Sequence, residues 1–431
     1  MPTAAYHTLG CKVNQYDTQA MEELLSAAGY QTVSFSAEAD VYLVNSCTVT
    51  GTGDKKSLQT VRRLKREHPG SIIVLCGCLA QLRGEELLST GADLILGTQR
   101  RNEIVSLLSQ VIREGHPVCA VEPLGNHPVF EPLQISRQSD HTRAVLKIQE
   151  GCGNRCSYCV IPQVRGPIRS RSLPDILEEA RRLADAGFRE IVLTGIHLSS
   201  YGRDFSDGTA LSDVILSLQR VDGILRIRLG SLEPTVATSE FVRIMRDADK
   251  VCPQFHLALQ SGSDSVLRRM RRRYNTAQYI KAVDEIRSVF PHAALTTDIL
   301  TGFPGETESE FCETADMIRR VLFARIHVFP YSPRPNTEAA LLPDQLPDSL
   351  RQERARNLIA IGEETALVYR RSWLGLEAEL LPEEIVDGCM EGYTPEYLRV
   401  RMPSGCCCIS GEPVRIRIVS VDQPTAVGEL I

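Results

Sequence analysis

Two long stretches of this chain alternate short β-branched runs with amphipathic runs, and this rhythm sharply limits the folds open to it. Strands alternating with helices resolve into a parallel sheet covered by helices, because each element must bury its apolar side against another. In the first stretch Ala4–Leu9, Val41–Asn45, Ile72–Leu75 and Leu94–Leu96 read as strands. Gln15–Ala28, Lys55–Arg66, Gln81–Ser89 and Asn102–Ile112 read as helices, with Gly29 and His68-Pro69 ending the first two. In the second stretch the strands are Ala144–Ile148, Glu190–Thr194, Leu225–Leu229, Gln254–Leu259, Leu295–Leu300 and Arg325–Phe329. Helices Ile176–Ala186 and Ser212–Gln219 separate the first three. About six β/α units of this kind form a barrel whose reactive residues gather at the rim on the carboxyl side of the strands.

Cysteines punctuate both stretches at strand ends. Ala144–Ile148 runs into Glu150-Gly-Cys-Gly-Asn-Arg-Cys-Ser-Tyr-Cys-Val-Ile-Pro162, where Cys152, Cys156 and Cys159 are separated by three and then two residues. Three thiolates at this spacing can hold three corners of a cubic iron–sulfur cluster and leave one iron open for chemistry. The plainer alternative is a zinc knuckle, but no second CxxC or close His follows to complete one. In the first stretch Cys11, Cys47 and Cys78 each follow a strand, where crevices of open α/β sheets lie. Three buried structural thiols would be the plain reading. Their equivalent positions favour a second three-cysteine cluster. Cys76 competes with Cys78 for the third place; Gly77-Cys78 better matches Gly10-Cys11. Cys119 and Cys406-Cys-Cys408 are read as incidental, adjacent cysteines being poorly placed to ligate one ion.

The chain has 431 residues, enough for two or three domains, and its 43% apolar content suits a globular protein. Fourteen cysteines without a signal peptide argue for metal or redox use in a cytoplasmic setting, not for disulfides. No apolar run approaches about 18 residues, so no membrane span is expected. The expected division is residues 1–115, a linker at 116–141 with Pro117, Pro123, Pro128 and Pro132, a barrel with connector helix at 142–370, and a small β-barrel at 371–431. In the last segment Glu377–Leu381, Leu398–Met402 and Val414–Val421 are β-rich runs split by Gly and Pro, read as an antiparallel barrel.

A net charge of −6 argues against general nucleic-acid binding, so such binding would need a local basic face. The dense basic runs are Arg62–Arg66, Arg165–Arg171 and Arg268–Arg273. The first is read as a solvated helix face and the last as a phosphate contact, since five arginines in six residues repel unless an anion is near. His197 is expected to be structural.

The CGNRCSYC segment resembles the signature of radical S-adenosylmethionine (SAM) enzymes, in which the open iron chelates SAM and its cleavage yields a 5'-deoxyadenosyl radical. Nearly the whole chain resembles the methylthiotransferases, whose order is a three-cysteine N-terminal domain, a partial (β/α)6 radical SAM barrel and a small TRAM barrel. Thr8–Thr18, Asn45-Ser-Cys-Thr-Val-Thr50, Leu259–Asp264, Met270–Tyr274 and Tyr331-Ser-Pro-Arg-Pro-Asn336 carry the likeness. Lys12-Val13 after the first cysteine resembles the type acting on threonylcarbamoyladenosine of tRNA. The isopentenyladenosine type has Gln-Met there and the ribosomal-protein type Pro-Lys.

The resemblance implies methylthiolation of C2 of N6-threonylcarbamoyladenosine at position 37, with SAM as radical source and methyl donor. It implies two [4Fe-4S] clusters, one on Cys152, Cys156 and Cys159 and an auxiliary one on Cys11, Cys47 and Cys78. Implied partners are the tRNA anticodon loop and an electron donor such as flavodoxin or ferredoxin. Gly195, Glu233, Gln260 and Asp298 at the rim are the candidate SAM-side residues, although Glu233 and Gln260 could equally cap neighbouring elements. Rival readings are another tRNA adenosine, a ribosomal-protein aspartate, or an auxiliary cluster that only transfers electrons. Residues 371–431 hold ten acids against five bases, so RNA contact there rests on Arg399, Arg401, Arg415 and Arg417 sharing one face.

Overall fold

The computed structural model describes residues 1–431 except 125–128, 137–141, 404, 406–408 and 422–424, so the Cys406–Cys408 reading lies outside the described residues. The first stretch forms β1 (Thr3–Thr8), α1 (Lys12–Ala27), β2 (Gln31–Thr32), β3 (Val41–Ser46), α2 (Gly51–Glu67), β4 (Ile72–Gly77), α3 (Cys78–Arg83), β5 (Leu94–Leu96), α4 (Ile104–Glu114) and β6 (Val118–Ala120). Its strands make one parallel sheet in the order β2-β1-β3-β4-β5-β6. Buried Ala4, Leu43, Val74 and Leu94 feed one of two apolar layers, and Ala5, Val44, Ile73 and Ile95 feed the other. Helices on both faces explain why the strands read as continuous apolar runs.

Several boundaries differ from the sequence reading. Helix α1 begins at Lys12, directly after Cys11. Helix α2 begins at Gly51, because the Thr50 hydroxyl accepts the Gly53 N–H and outweighs the helix-weakening glycines. The expected helix Gln81–Ser89 is a short α3 followed by a 3₁₀ segment, Gly84–Thr90. The segment read as an irregular linker starts with β6, which pairs with β5.

The second stretch comprises β7 (Arg143–Glu150), α5 (Ile161–Arg165), β8 (Arg169–Ser170), α6 (Leu173–Asp185), β9 (Glu190–Gly195), α7 (Leu211–Leu218), β10 (Arg226–Leu229), β11 (Ser231–Leu232), α8 (Ser239–Asp247), β12 (Gln254–Leu257), α9 (Asp264–Arg269), α10 (Thr276–Val289), β13 (Ala294–Thr301), α11 (Glu308–Val321) and β14 (Arg325–Pro330). Strands β10 and β11 are one strand interrupted at Gly230, where a Cβ would lie 2.8 Å from the Leu193 carbonyl. Counted so, six parallel strands run β7, β9, β10/β11, β12, β13, β14, with β8 antiparallel beside β7. Leu146, Ile148, Ile191, Leu193 and Ile227 point outward into the helix layer. The alternate positions line the lumen and are free to carry polar groups.

Helix α12 (Asp348–Arg371) connects to β15 (Glu377–Val386), β16 (Cys389–Tyr393), β17 (Arg399–Arg401), β18 (Val414–Ser420) and β19 (Ala426–Leu430), a closed five-stranded barrel. Its core holds Leu380, Val400, Met402, Ile416 and Ile418 under Trp373. The barrel is not wholly antiparallel, since β17 and β19 pair in parallel.

Candidate active site

Strand β7 delivers Glu150 to the first cysteine loop, and Gly151 makes the turn. It sits at φ +73, and a Cβ there would lie 1.8 Å from the Pro167 carbonyl oxygen. The loop is held by backbone bonds: Cys152 N–H to Gly166 O at 3.0 Å, Cys159 N–H to Cys156 O at 3.1 Å, and Ser157 N–H to Met270 O at 3.1 Å. Cys152, Cys156 and Cys159 all line one cavity of about 160 Å³, together with Glu233, Gln260 and Asp298. Burial, then the neighbouring Cys156 and Cys152, pushes the Cys159 thiol up to about 12. Such a thiol becomes a thiolate only when something cationic claims it.

The polar wall of this cavity centres on Glu233. It accepts from Asn154 Nδ2 at 2.8 Å and Arg272 Nη2 at 3.1 Å. Burial alone would raise its pKa; hydrogen bonding to His197 and the charge of Arg272 outweigh burial and hold it below the usual range. Gln260 takes φ +66 and accepts from the Tyr158 hydroxyl at 3.1 Å. Asp298 is 35% exposed and stands 3.3 Å from His256 Nε2. Gly195 does not line the cavity. It faces Gln149, whose Cβ would be 2.8 Å from a Cβ at 195, and Gln149 Oε1 accepts the His197 N–H at 2.7 Å.

Two site residues escaped the sequence reading. His197, expected to be structural, lines the cavity with Nε2 3.2 Å from Asn154 Nδ2 and 3.4 Å from Glu233 Oε2. Its buried Nδ1 has no hydrogen-bond partner among the described residues. Arg272 reaches Cys156 Sγ at 3.2 Å as well as Glu233, so it serves this cavity and not an external phosphate.

The second trio stands where three loops leave the parallel sheet. Gly10 lies against the Cys47 loop, since its Cβ would be 2.9 Å from Cys47 Cβ. Cys78 opens α3, and burial pushes its thiol up to about 11, with Cys11 and Cys47 adding to the rise and Arg165 opposing it. Cys76 faces the other way, into the apolar layer, with Sγ 3.7 Å from Val44 O. The geometry thus groups Cys78, not Cys76, with Cys11 and Cys47. Among the described residues no three His, Cys, Asp or Glu are gathered at the spacing of one metal ion. A cubic cluster spreads its thiolates wider than a single ion does.

A buried ion network links the two trios. Arg165 donates to Cys78 Sγ at 3.2 Å, to Asp17 Oδ2 at 3.0 Å and to Glu150 Oε2 at 3.0 Å. Lys147 bonds Asp17 at 2.7 Å and Glu150 at 2.6 Å, while Arg101 joins Asp17 and reaches Glu131 at 2.6 Å. Asp17 lies on the helix begun by Cys11, and Glu150 precedes the loop of Cys152. Arg334 adds a second tie, donating to Thr48 Oγ1 at 2.7 Å beside Cys47.

Residues 146–318 match the radical SAM superfamily, and residues 3–97 match Uncharacterized protein family UPF0004. The chain is 39% identical to a threonylcarbamoyladenosine tRNA methylthiotransferase MtaB of Bacillus subtilis (strain 168), over 100% of this chain and 97% of that protein. The chain belongs to the MtaB-type radical SAM methylthiotransferases. A protein of the same name from Thermotoga maritima is 35% identical, over 93% of this chain and 91% of that one. The fold is shared with the radical SAM methyltransferase TsrM from Kitasatospora setae at a TM-score of 0.59 and 13% identity, covering 79% of this chain and 77% of that one.

Membership in the radical SAM methylthiotransferases implies a [4Fe-4S] cluster and SAM, and the first cavity fits both. It offers three clustered thiols, an ionised Glu233, the cation Arg272 and an orphaned histidine nitrogen. The basic runs correct the expectations for RNA. Arg165, Arg169 and Arg171 are buried. In the run at 268–273, Arg269 pairs with Glu310 and Arg271 with Glu338, and Arg272 turns inward, so the run is not one phosphate-binding face. On the C-terminal barrel Arg399 and Arg401 pair with Glu391, and Arg415 and Arg417 pair with Glu377. Strands β17 and β18 are separated by β19, so these four arginines form two neutralised pairs and no common basic face. Among the described residues no helix is long and apolar enough to cross a membrane.

Proposed function

We propose that this methylthiotransferase adds a methylthio group to C2 of N6-threonylcarbamoyladenosine at position 37 of tRNA, with SAM as radical source and methyl donor. The observation that carries the reading is the pair of three-cysteine sets held across one buried ion network, in a chain related over its full length to proteins of that name. One set would serve SAM cleavage and the other would hold sulfur. When bound, a [4Fe-4S] cluster on each set, with SAM, supplies the radical step at C2 and the sulfur that replaces its hydrogen.

The chain's own residues orient these parts. Glu233, held by Asn154 and Arg272, would offer bound SAM a fixed carboxylate. Gln260 and Asp298 line the same cavity from neighbouring strands. Arg165 keeps a positive charge against Cys78 and so favours an anionic group there. An anticodon-loop base can be splayed into the lumen, the usual way single-stranded RNA is read. Electrons would come from a carrier such as flavodoxin or ferredoxin.

Mass spectrometry of tRNA nucleosides tests the reading. A strain lacking the protein should lose the 2-methylthio derivative of threonylcarbamoyladenosine, and the wild-type chain should restore it. Cys152→Ala and Cys11→Ala should both fail to restore it. Iron analysis should give about eight irons per chain, falling to about four in either variant. An unchanged nucleoside profile, or about four irons in the wild type, would refute the scheme.

A further inference from the structure

A second lumen cavity of about 380 Å³ opens between α1, strands β7 and β9, and the C-terminal barrel. Lys12, Gln15 and Gln19 line it from α1, Arg143 from β7, and Tyr393 and Tyr397 from the C-terminal barrel. We propose that this cavity receives the carboxylate-bearing N6 side chain of the substrate adenosine, with Lys12 as the cation that meets the carboxylate. The proposal rests on the threonylcarbamoyladenosine reading and adds the subsite that would recognise the threonyl group.

Lys12 carries the argument. It immediately follows Cys11, so its side chain leaves from the edge of the second trio. Its ammonium has no hydrogen-bond or ion-pair partner among the described residues. The nearby acids are already engaged: Glu383 with Arg143 at 2.7 Å, Glu190 with Arg228 at 2.7 Å, and Glu384 with Arg399 at 3.5 Å. An unpaired cation facing a polar cavity, next to paired ones, is what a site for one carboxylate requires.

The rest of the cavity suits the rest of the group. Tyr393 and Tyr397 stack with centroids 4.7 Å apart and planes at 21°. Arg143 lies over both rings at 4.7 and 5.4 Å, and Arg228 lies 4.6 Å from the Tyr397 centroid. This rigid stack offers flat surface and phenol oxygens to a ureido link, and Gln15 and Gln19 offer amides to a hydroxyl. Direction also agrees. Val145 and Val192, paired in register, form the wall on the inward face shared with Gln149, which lies nearer Cys152. In adenine, C2 and C6 flank N1, so the C2–H and C6–N6 bonds diverge. With C2 towards the clusters, the N6 substituent leaves to one side of them, where this face and Lys12 lie.

The test compares binding of the cluster-loaded full-length enzyme to one tRNA with and without threonylcarbamoyl at A37. The wild type should prefer the modified tRNA by roughly tenfold to a hundredfold, the worth of a charge-assisted bond. Lys12→Met should abolish the preference with iron content and visible absorption unchanged, and Lys12→Arg should keep much of it. Gln15→Glu, which leaves the neighbour of Cys11 intact, should repel the carboxylate and lower the preference even if Lys12→Met loads iron poorly. A full preference retained by Lys12→Met or by Gln15→Glu overturns the subsite. Absence of any preference in the wild type overturns instead the substrate reading beneath it.

Discussion

Arg165 donates its Nε–H to Cys78 Sγ at 3.2 Å, and the same guanidinium donates to Glu150, the residue that leads into the Cys152 loop. One fully buried side chain thus touches the second cysteine trio and the approach to the first.

Replacing Arg165 with Leu should destabilise the chain by about 3–5 kcal/mol, because Asp17 and Glu150 would keep buried charges with fewer partners. Chemical denaturation measures this. Arg165→Lys should recover part of the stability but not the contact with Cys78, since an ammonium lacks the planar fork. Iron should therefore be lost from the lysine variant faster than from the wild type under chelator challenge.

Arg272→Ala should weaken SAM binding and shift the visible spectrum of the first cluster, because Cys156 and Glu233 lose a shared donor. The salt dependence of tRNA binding should not change. A flatter salt slope would mean instead that Arg272 contacts a phosphate.

Gly151→Ala should collapse the first cysteine loop. The added methyl meets the Pro167 carbonyl at 1.8 Å on a backbone held at φ +73. Iron content should fall by roughly half while the second trio keeps its share. A fully loaded alanine variant would show that the loop can rebuild itself.

The pH dependence of stability should include a contribution from Glu310. Hydrogen bonding to Arg269 is the largest cause holding its pKa at about 2, with Ser265 and the Thr307 N–H assisting against burial. A depressed folded pKa gives stability that is fully present above the unfolded carboxyl value and is lost as pH falls towards 2. Glu310→Gln should flatten the acid limb of the stability profile between about pH 4 and 2.

The strands of both α/β stretches were legible because buried parallel strands must be apolar and β-branched over several residues, as in Val41–Ser46. Two strands that escaped, β16 and β19, carry glycine where a side chain cannot fit. Gly392 in β16 would put a Cβ 2.0 Å from the Leu381 carbonyl, and Gly428 in β19 would meet Val400 at 2.9 Å. The cysteine trios were readable as spacing and as strand ends. The choice between Cys76 and Cys78 needed the turn at Gly77, which puts them on opposite sides. Arg272 was hidden among like neighbours. Arg271 takes φ +57, and the turn it makes leaves Arg271 and Arg273 outside while Arg272 goes in. No string of identical letters carries that distinction.

Asp17, Arg101, Lys147, Glu150 and Arg165 each draw ion-pair partners from both α/β stretches. Neither half is therefore a portable module. A chimera that grafts the first 120 residues of a distant relative onto this barrel would inherit mismatched buried ions unless all five positions travelled together. Such grafts should yield insoluble protein, and restoring the five residues should rescue it before any change near the cysteines does. Two halves that share one buried ion network are bound to descend as one unit.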